Sequence, residues 1–188
     1  EISACLVGSE MCIRDREGCE TSIRAFKEDT LIVGAGSFKD AYNLRVIEKD
    51  GIKVGLLCLV HKEFGALGLD SKSSDYGTAW INHPLVNKTI LNAKKECDLL
   101  IVLPHAGVED VVVPLPEWRA RYKEFIDMGA DTVIASHPHT PQGWEEYNGR
   151  KIFYSLGNFF FQLFSNQHGE NWYKGLIVEM DIDCLLYT

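Results

Sequence analysis

The 188-residue sequence has no apolar run approaching the ~20 residues that a helix crossing a bilayer needs. Basic side chains are in short supply: 19 Lys and Arg stand against 27 Asp and Glu, for a net charge of −8 with histidine neutral. A surface of that sign repels phosphate backbones and argues against a nucleic-acid partner. Cysteine supports neither a disulfide framework nor a thiolate metal site, because away from the two ends only Cys19, Cys58 and Cys97 remain, an odd number without CxxC spacing. A dinucleotide fingerprint is missing as well, since Gly34-Ala35-Gly36 lacks the third glycine. A core is not among the absences. At 46% hydrophobic and 11% aromatic, the composition is that of one folded domain rather than a disordered chain.

Both ends read as foreign to that domain. Residues 1–16, ending Cys12-Ile13-Arg14-Asp15-Arg16, resemble translated adapter sequence, and Cys184-Leu185-Leu186-Tyr187-Thr188 resembles another such string. A signal peptide is the rival for the front, but it would open cationic and run longer, whereas this chain opens with Glu1. The domain is therefore expected over 17–183. It retains Cys19, Cys58 and Cys97, expected as buried free thiols.

Hydrophobic period and turn residues outline the domain. A short helix is expected over 20–29, with Ile23 and Phe26 inward, then a buried strand at Leu31-Ile32-Val33 and a turn at the glycines. Asp50-Gly51 between Leu44–Glu48 and Ile52–Val60 is a two-residue hairpin signal. The second of those strands is apolar almost throughout, as a strand covered on both faces must be. Residues 65–82, rich in Gly, Ser and Asp, read as a surface loop. Pro84 and Pro116 each open a helix, and buried strands at Leu99–Leu103 and Thr132–Ala135 follow them. A hairpin over Trp144–Ser155, turning at Asn148-Gly149, and a last strand at Leu176–Met180 complete an α/β layered domain.

Chemistry collects beyond two consecutive strands. The first ends in His105-Ala106-Gly107-Val108-Glu109, the second in Ser136-His137-Pro138-His139. In α/β sheets such strand ends line one crevice, and a right-handed crossover makes these two strands near neighbours. Pro138 is expected to hold the chain extended so that both flanking rings lean toward one point. Three converging imidazoles suit a borderline divalent ion such as Zn, Fe, Mn or Ni. His61, His83 and His168 have no such company and read as surface or core histidines. Glu109 is either an acceptor orienting an imidazole or a solvated charge. Asn158 either lines the same edge or is a turn residue. Phe159-Phe160-Phe161 with Leu163 and Phe164 read as core, or else as a hydrophobic wall or contact surface. Ser136 beside His137 does not make a serine hydrolase, because no Gly-x-Ser-x-Gly elbow surrounds it.

Four separate motifs give this sequence a family resemblance. They are His105-Ala106-Gly107-Val108-Glu109, Gly129–His139, Pro141-Gln142-Gly143 and Tyr154-Ser155-Leu156-Gly157-Asn158-Phe159. Their order and spacing resemble the CapA family of poly-γ-glutamate capsule biosynthesis proteins, within the calcineurin-like metallophosphoesterase superfamily. The resemblance implies a four-layer α/β/β/α sandwich, incomplete here at its N-terminus, and a site for two metal ions. It implies His105, His137 and His139 as metal ligands, with Glu109 and Asn158 as the catalytic candidates. Many relatives carry tryptophan where Ala106 stands, and the smaller residue is expected to widen the pocket.

The resemblance also implies an early acidic motif and an asparagine-histidine-aspartate motif, both expected before Glu17 and absent from the chain. The expectation is therefore a fragment that holds at most one ion, weakly, and is inactive as a phosphoesterase. Its intact parent would bind two ions and direct an activated water at a phosphoester or amide-like bond. The implied partners are an anionic polymer or phosphoester substrate and a capsule synthase. A non-catalytic envelope assembly protein on the same scaffold, binding such a polymer, is the alternative. Localisation stays open between an anchored extracytoplasmic form and a cytoplasmic one.

Overall fold

The structure, a computed structural model, describes residues 16–26, 30–62, 65–159 and 169–181. Its helices are α1 (Arg16–Ala25), α2 (Phe38–Tyr42), α3 (Pro84–Ala93) and α4 (Pro116–Asp127). Its strands are β1 (Ala35–Ser37), β2 (Arg45–Lys49), β3 (Ile52–Val60), β4 (Ala66–Leu67), β5 (Tyr76–Ala79), β6 (Leu99–His105), β7 (Thr132–Ile134), β8 (Trp144–Tyr147) and β9 (Arg150–Phe153).

Six strands form one mixed sheet in the order β2-β3-β6-β7-β9-β8, and β1-β5-β4 form a second. In the large sheet β3, β6, β7 and β9 run parallel, and the hairpin partners β2 and β8 close the two edges antiparallel. Both hairpins turn where expected. Asp50 and Gly51 take φ of 54° and 81°, and Asn148 and Gly149 take 51° and 71°, the left-handed pair that matches strand twist.

The continuous apolar run of β3 is explained by its central place. Leu57 and Leu59 face one core, Val54 and Leu56 the other. The first core is the larger. Alternate residues of the parallel strands (Leu100, Val102, Val133, Ile152) meet Val86, Ile90 and Ala93 of α3 and Tyr122, Phe125 and Ile126 of α4. Leu67 and Ala79 of the small sheet join it. On the opposite face Val54, Leu56 and Ile101 are buried, with Val33, Ile47, Leu99, Leu103 and Ile134 packed around them. The result is a mixed α/β fold with two sheets and packed helices, as expected.

Several local expectations are corrected. Leu31-Ile32-Val33 is not a strand; Leu31 is exposed, and the strand begins later at Ala35. Residues 65–82 are not a surface loop. They contain β4 and β5 and bury Leu67, Thr78, Ala79 and Ile81. Gly77 is what permits this, since a Cβ there would lie 2.2 Å from the carbonyl oxygen of Gly65. The first helix begins earlier than expected, at Arg16, and Cys19 is its buried residue, while Ile23 and Phe26 are half-buried. Leu176–Met180 forms no strand, and Ile177 is exposed; among the described residues, a bridge of Gly157 to Gly175 and a Leu176 N–H to Leu156 carbonyl bond tie this segment to the fold. Phe159 is 92% exposed rather than core. Phe160, Phe161, Leu163, Phe164, His168 and both adapter-like ends up to Asp15 and from Cys184 lie outside the described residues. Cys19, Cys58 and Cys97 are buried free thiols, as expected.

Candidate functional site

Register brings the predicted ligands together. In the parallel ladder Val60 pairs with His105, and an isolated bridge pairs His105 with Ser136. The peptide N–H of His61 donates to the His105 carbonyl (3.1 Å), and that of Ala106 to the Ser136 carbonyl (3.0 Å). Leu156, just beyond β9, donates to the Ala135 carbonyl. The tips of four adjacent parallel strands thus present His61, His105, His137 and Asn158 along one edge of the sheet, where α/β folds place their crevice.

The rings are close. His105 and His137 have centroids 4.8 Å apart, and His137 and His139 6.0 Å. His137 Nδ1 lies 3.1 Å from His105 Nε2, and His105 Nδ1 lies 3.1 Å from Ser136 Oγ. His105 and His137 are both buried.

Pro138 does not hold its neighbours extended as expected. His137 and His139 take φ of 107° and 57°, a region that L side chains seldom occupy. Residues held there cost about 1–3 kcal/mol each and persist only where their surroundings fix them. Gly107 is part of that surrounding. Its φ is +148°, and a Cβ there would meet Pro138 Cγ at 2.7 Å. The Asp110 N–H reaches the Pro138 carbonyl at 2.9 Å and completes the clasp.

Asn158 settles the tautomer of His139. Its amide nitrogen donates to the carbonyls of His139 (3.2 Å) and Trp172 (2.9 Å), so its Oδ1 faces His139 Nδ1 at 2.7 Å. A carboxamide oxygen only accepts, so Nδ1 carries the proton and Nε2 the lone pair of the neutral ring. Trp172, on a 3₁₀ turn at Glu170–Tyr173, is buried and stacks on His139 with centroids 4.5 Å apart at 29°.

Three members of this site escaped the sequence reading. His61 lies against His137, with ring centroids 4.4 Å apart at 61°, and beside Trp118. It is neither a plain surface nor a plain core histidine. The signal that could have found it is its position directly after an apolar strand, the same pattern that marked His105. Ser136 hydrogen-bonds His105 and not the adjacent His137, which agrees with rejecting a serine–histidine pair there. Nothing in the sequence marked Trp172.

Glu109 is not brought to the imidazoles. It is exposed, and among the described residues no hydrogen bond or ion pair links it to them, so its placement is that of a solvated charge. His83 caps α3 instead: its Nδ1 accepts the Leu85 N–H, and burial holds its pKa below the usual 6.5.

The donor set can be tested against a divalent ion. Among the described residues no group of three or more His, Cys, Asp or Glu side chains is arranged so that it could hold a metal ion. The His105–His137 pair nevertheless fits one. Two nitrogens bound at about 2.0–2.1 Å to one tetrahedral zinc stand about 3.3 Å apart, close to the 3.1 Å between these two.

A family model described as bacterial capsule synthesis protein PGA_cap matches residues 14–163. The sequence is 35% identical over 162 residues to the capsule biosynthesis protein CapA of Bacillus anthracis, covering 83% of this chain and 39% of that protein. It is 32% identical over 148 residues to the PGA biosynthesis protein CapA of Bacillus subtilis, covering 77% of this chain and 38% of that one. The chain thus spans well under half the length of either relative. Among solved structures it is similar to a Staphylococcus aureus protein described as a candidate 5'-nucleotidase, solved with α-ketoglutarate. There the TM-score is 0.47 at 15% identity, over 71% of this chain and 28% of that one. A hypothetical protein from Thermus thermophilus aligns with a TM-score of 0.38 at 16% identity, over 61% of this chain and 38% of that one.

Proposed function

This chain belongs to the bacterial capsule synthesis family PGA_cap, and from that premise we propose that its histidine cluster holds a divalent ion in a hydrolase-fold protein. His105 and His137 are the ligands, and His139, its ring centroid 6.0 Å from that of His137, would complete the set only by moving toward the pair. The observation that carries this reading is the 3.1 Å between His137 Nδ1 and His105 Nε2. Two buried imidazole nitrogens at that separation either share one proton or share one ion. Manganese, iron, zinc and nickel all accept such donors.

An ion of this kind supplies Lewis acidity and lowers the pKa of a water molecule. The chain's own residues prepare its binding. Ser136 Oγ engages His105 Nδ1, so that His105 Nε2 meets His137. Asn158 keeps the His139 proton on Nδ1 and so reserves Nε2 as donor. His61 packs against His137 and Trp172 against His139. Neutral imidazoles bring no charge to offset a dication, so a single ion is held weakly by this chain alone. Hydrolysis of a phosphoester or amide-like bond, with a second ion and carboxylate ligands, is proposed for the longer protein of which relatives give the length.

Isothermal titration with zinc and manganese tests the assignment. The reading expects one site that is lost in His105→Ala and His137→Ala and weakened in His139→Ala. Titration curves unchanged in all three variants contradict it.

A further inference from the structure

Three large apolar side chains stand out in solvent on one loop between β6 and α4: Val108, Val112 and Val113, between 46% and 61% exposed. The acidic pair Glu109 and Asp110 is exposed beside them. The loop is pinned from beneath. Its Val111 carbonyl accepts the Gln142 amide (2.7 Å) and the Thr140 hydroxyl (3.3 Å), both from buried side chains. The Asp110 N–H is tied to the Pro138 carbonyl at 2.9 Å. An apolar ridge held in this way meets a partner without the entropic cost of ordering a loose loop.

A concavity of matching character lies elsewhere on the molecule. Between α2 and α3 runs a groove of about 670 Å³, with Phe38, Leu44 and Leu85 in its apolar lining and Lys39, Lys88 and Lys95 supplying cations. An apolar floor with a cationic rim is the complement of an apolar ridge with an acidic flank. Topology sets the two apart. Leu44 leads directly into β2, the strand at one edge of the large sheet. The loop stands over the other half, because the Gln142 that anchors it donates its N–H to the Ser155 carbonyl, just beyond β9. A pinned loop on one half of the sheet does not reach a groove at the far edge of its own molecule.

We propose that the valine ridge of one copy docks in the α2–α3 groove of a second copy of this chain. The contact is head-to-tail, so each added copy leaves one ridge and one groove free, and growth continues until a ring closes. One loop in one groove buries far less than a standard protein interface, so the association is weak and concentration-dependent. The proposal goes beyond the metal reading and uses none of the histidines.

Sedimentation velocity of the whole chain, in a series up to about 1 mM where even a weak contact is populated, provides the test. Wild type is expected to shift to larger species as concentration rises. Val112→Asn/Val113→Asn removes the ridge and Lys88→Glu/Lys95→Glu reverses the rim, and each alone should sediment as a monomer. An equimolar mixture of the two should form dimers and nothing larger, because it holds one intact ridge and one intact groove per pair. Val113→Asn and Lys88→Gln, each alone, should raise the dissociation constant about two- to fivefold, and they decide the matter if a double variant fails to fold. His137→Ala should associate like wild type, so failure of the metal reading leaves this result untouched. A wild type that stays monomeric overturns the proposal. So does association that survives in either double variant, which would assign the contact to another surface, or a mixture that stays monomeric.

Discussion

His137 and His105 meet nitrogen to nitrogen, Nδ1 of the one 3.1 Å from Nε2 of the other, across two parallel strand tips. Both rings are buried, and the residue carrying the first has a backbone φ of 107°. A fold that keeps an imidazole pair in this geometry, on strained backbone, has placed two donors where one partner can bridge them.

The clasp behind that geometry is Gly107. Replacing it with alanine puts a Cβ 2.7 Å from Pro138 Cγ at a φ of +148°. Gly107→Ala is expected to destabilise the fold by about 1–3 kcal/mol, and to weaken metal affinity as the turn bearing His137 and His139 shifts. Chemical denaturation and metal titration on the same protein read both effects.

Asn158 acts through His139. Asn158→Ala removes the acceptor of the Nδ1 proton and the two links to the His139 and Trp172 carbonyls. Loss of such a supporting partner lowers metal affinity about 10- to 100-fold. Asn158→Asp keeps the acceptor but replaces both donor links with a carboxylate oxygen facing two carbonyls, so it should recover only part of the loss. The two-dimensional NMR pattern of the His139 ring nitrogens should move in the alanine variant and stay in the aspartate one.

Asp131 is the buried ionic hub of the sheet's far edge. Its side chain, 1% exposed, meets Lys94 at 2.5 Å and Arg150 at 2.6 Å, and accepts the Leu100 N–H at 2.7 Å. Asp131→Asn is expected to cost about 2–3 kcal/mol, less than a fully buried pair because both cations reach solvent. Urea unfolding measures it, and the histidine site should bind metal as before once the protein is folded.

His83 supplies a pH dependence. Burial depresses its folded pKa below 6.5, so the unfolded chain takes up the proton first as pH falls. Stability is then complete above about pH 6.5 and declines as the solution is acidified through and below that value. His83→Asn keeps a capping acceptor for α3 without a titrating group. Thermal melts between pH 7.5 and 5, values bracketing the ordinary histidine pKa of about 6.5, should show a smaller decline in the variant than in wild type.

The sequence was most readable where a single local rule governs. Asp50-Gly51 and Asn148-Gly149 announce their hairpins because only such residues accept two consecutive positive φ angles. His105, His137 and His139 were legible because each follows a buried strand. His61 follows one too, but its value depends on β3 and β6 lying side by side, a pairing across 45 positions from Val60 to His105. No local signal carries that. β4 and β5 were hidden by the composition that makes them work: Gly77 reads as a loop residue, yet the absent Cβ is what admits the Gly65 carbonyl. The strand expected at Leu31–Val33 fails for the converse reason. Val33 packs beside the second core while Leu31 is exposed, and among the described residues none of the three pairs in a ladder. Glu109 had plausible spacing from His105, but the turn through Gly107 and Asp110, with φ of 148° and 60°, leaves it facing solvent.

The central claim is that His105 and His137 bind one ion between them. Cobalt(II) loading followed by X-ray absorption at the cobalt edge counts imidazole nitrogens at about 2.0–2.1 Å directly. The account predicts at least two imidazoles per cobalt in wild type, one fewer in His137→Ala, and loss of the bound ion in the His105→Ala/His137→Ala pair. Cobalt coordinated only by water and carboxylate oxygen, or the same imidazole count in wild type and both variants, contradicts it.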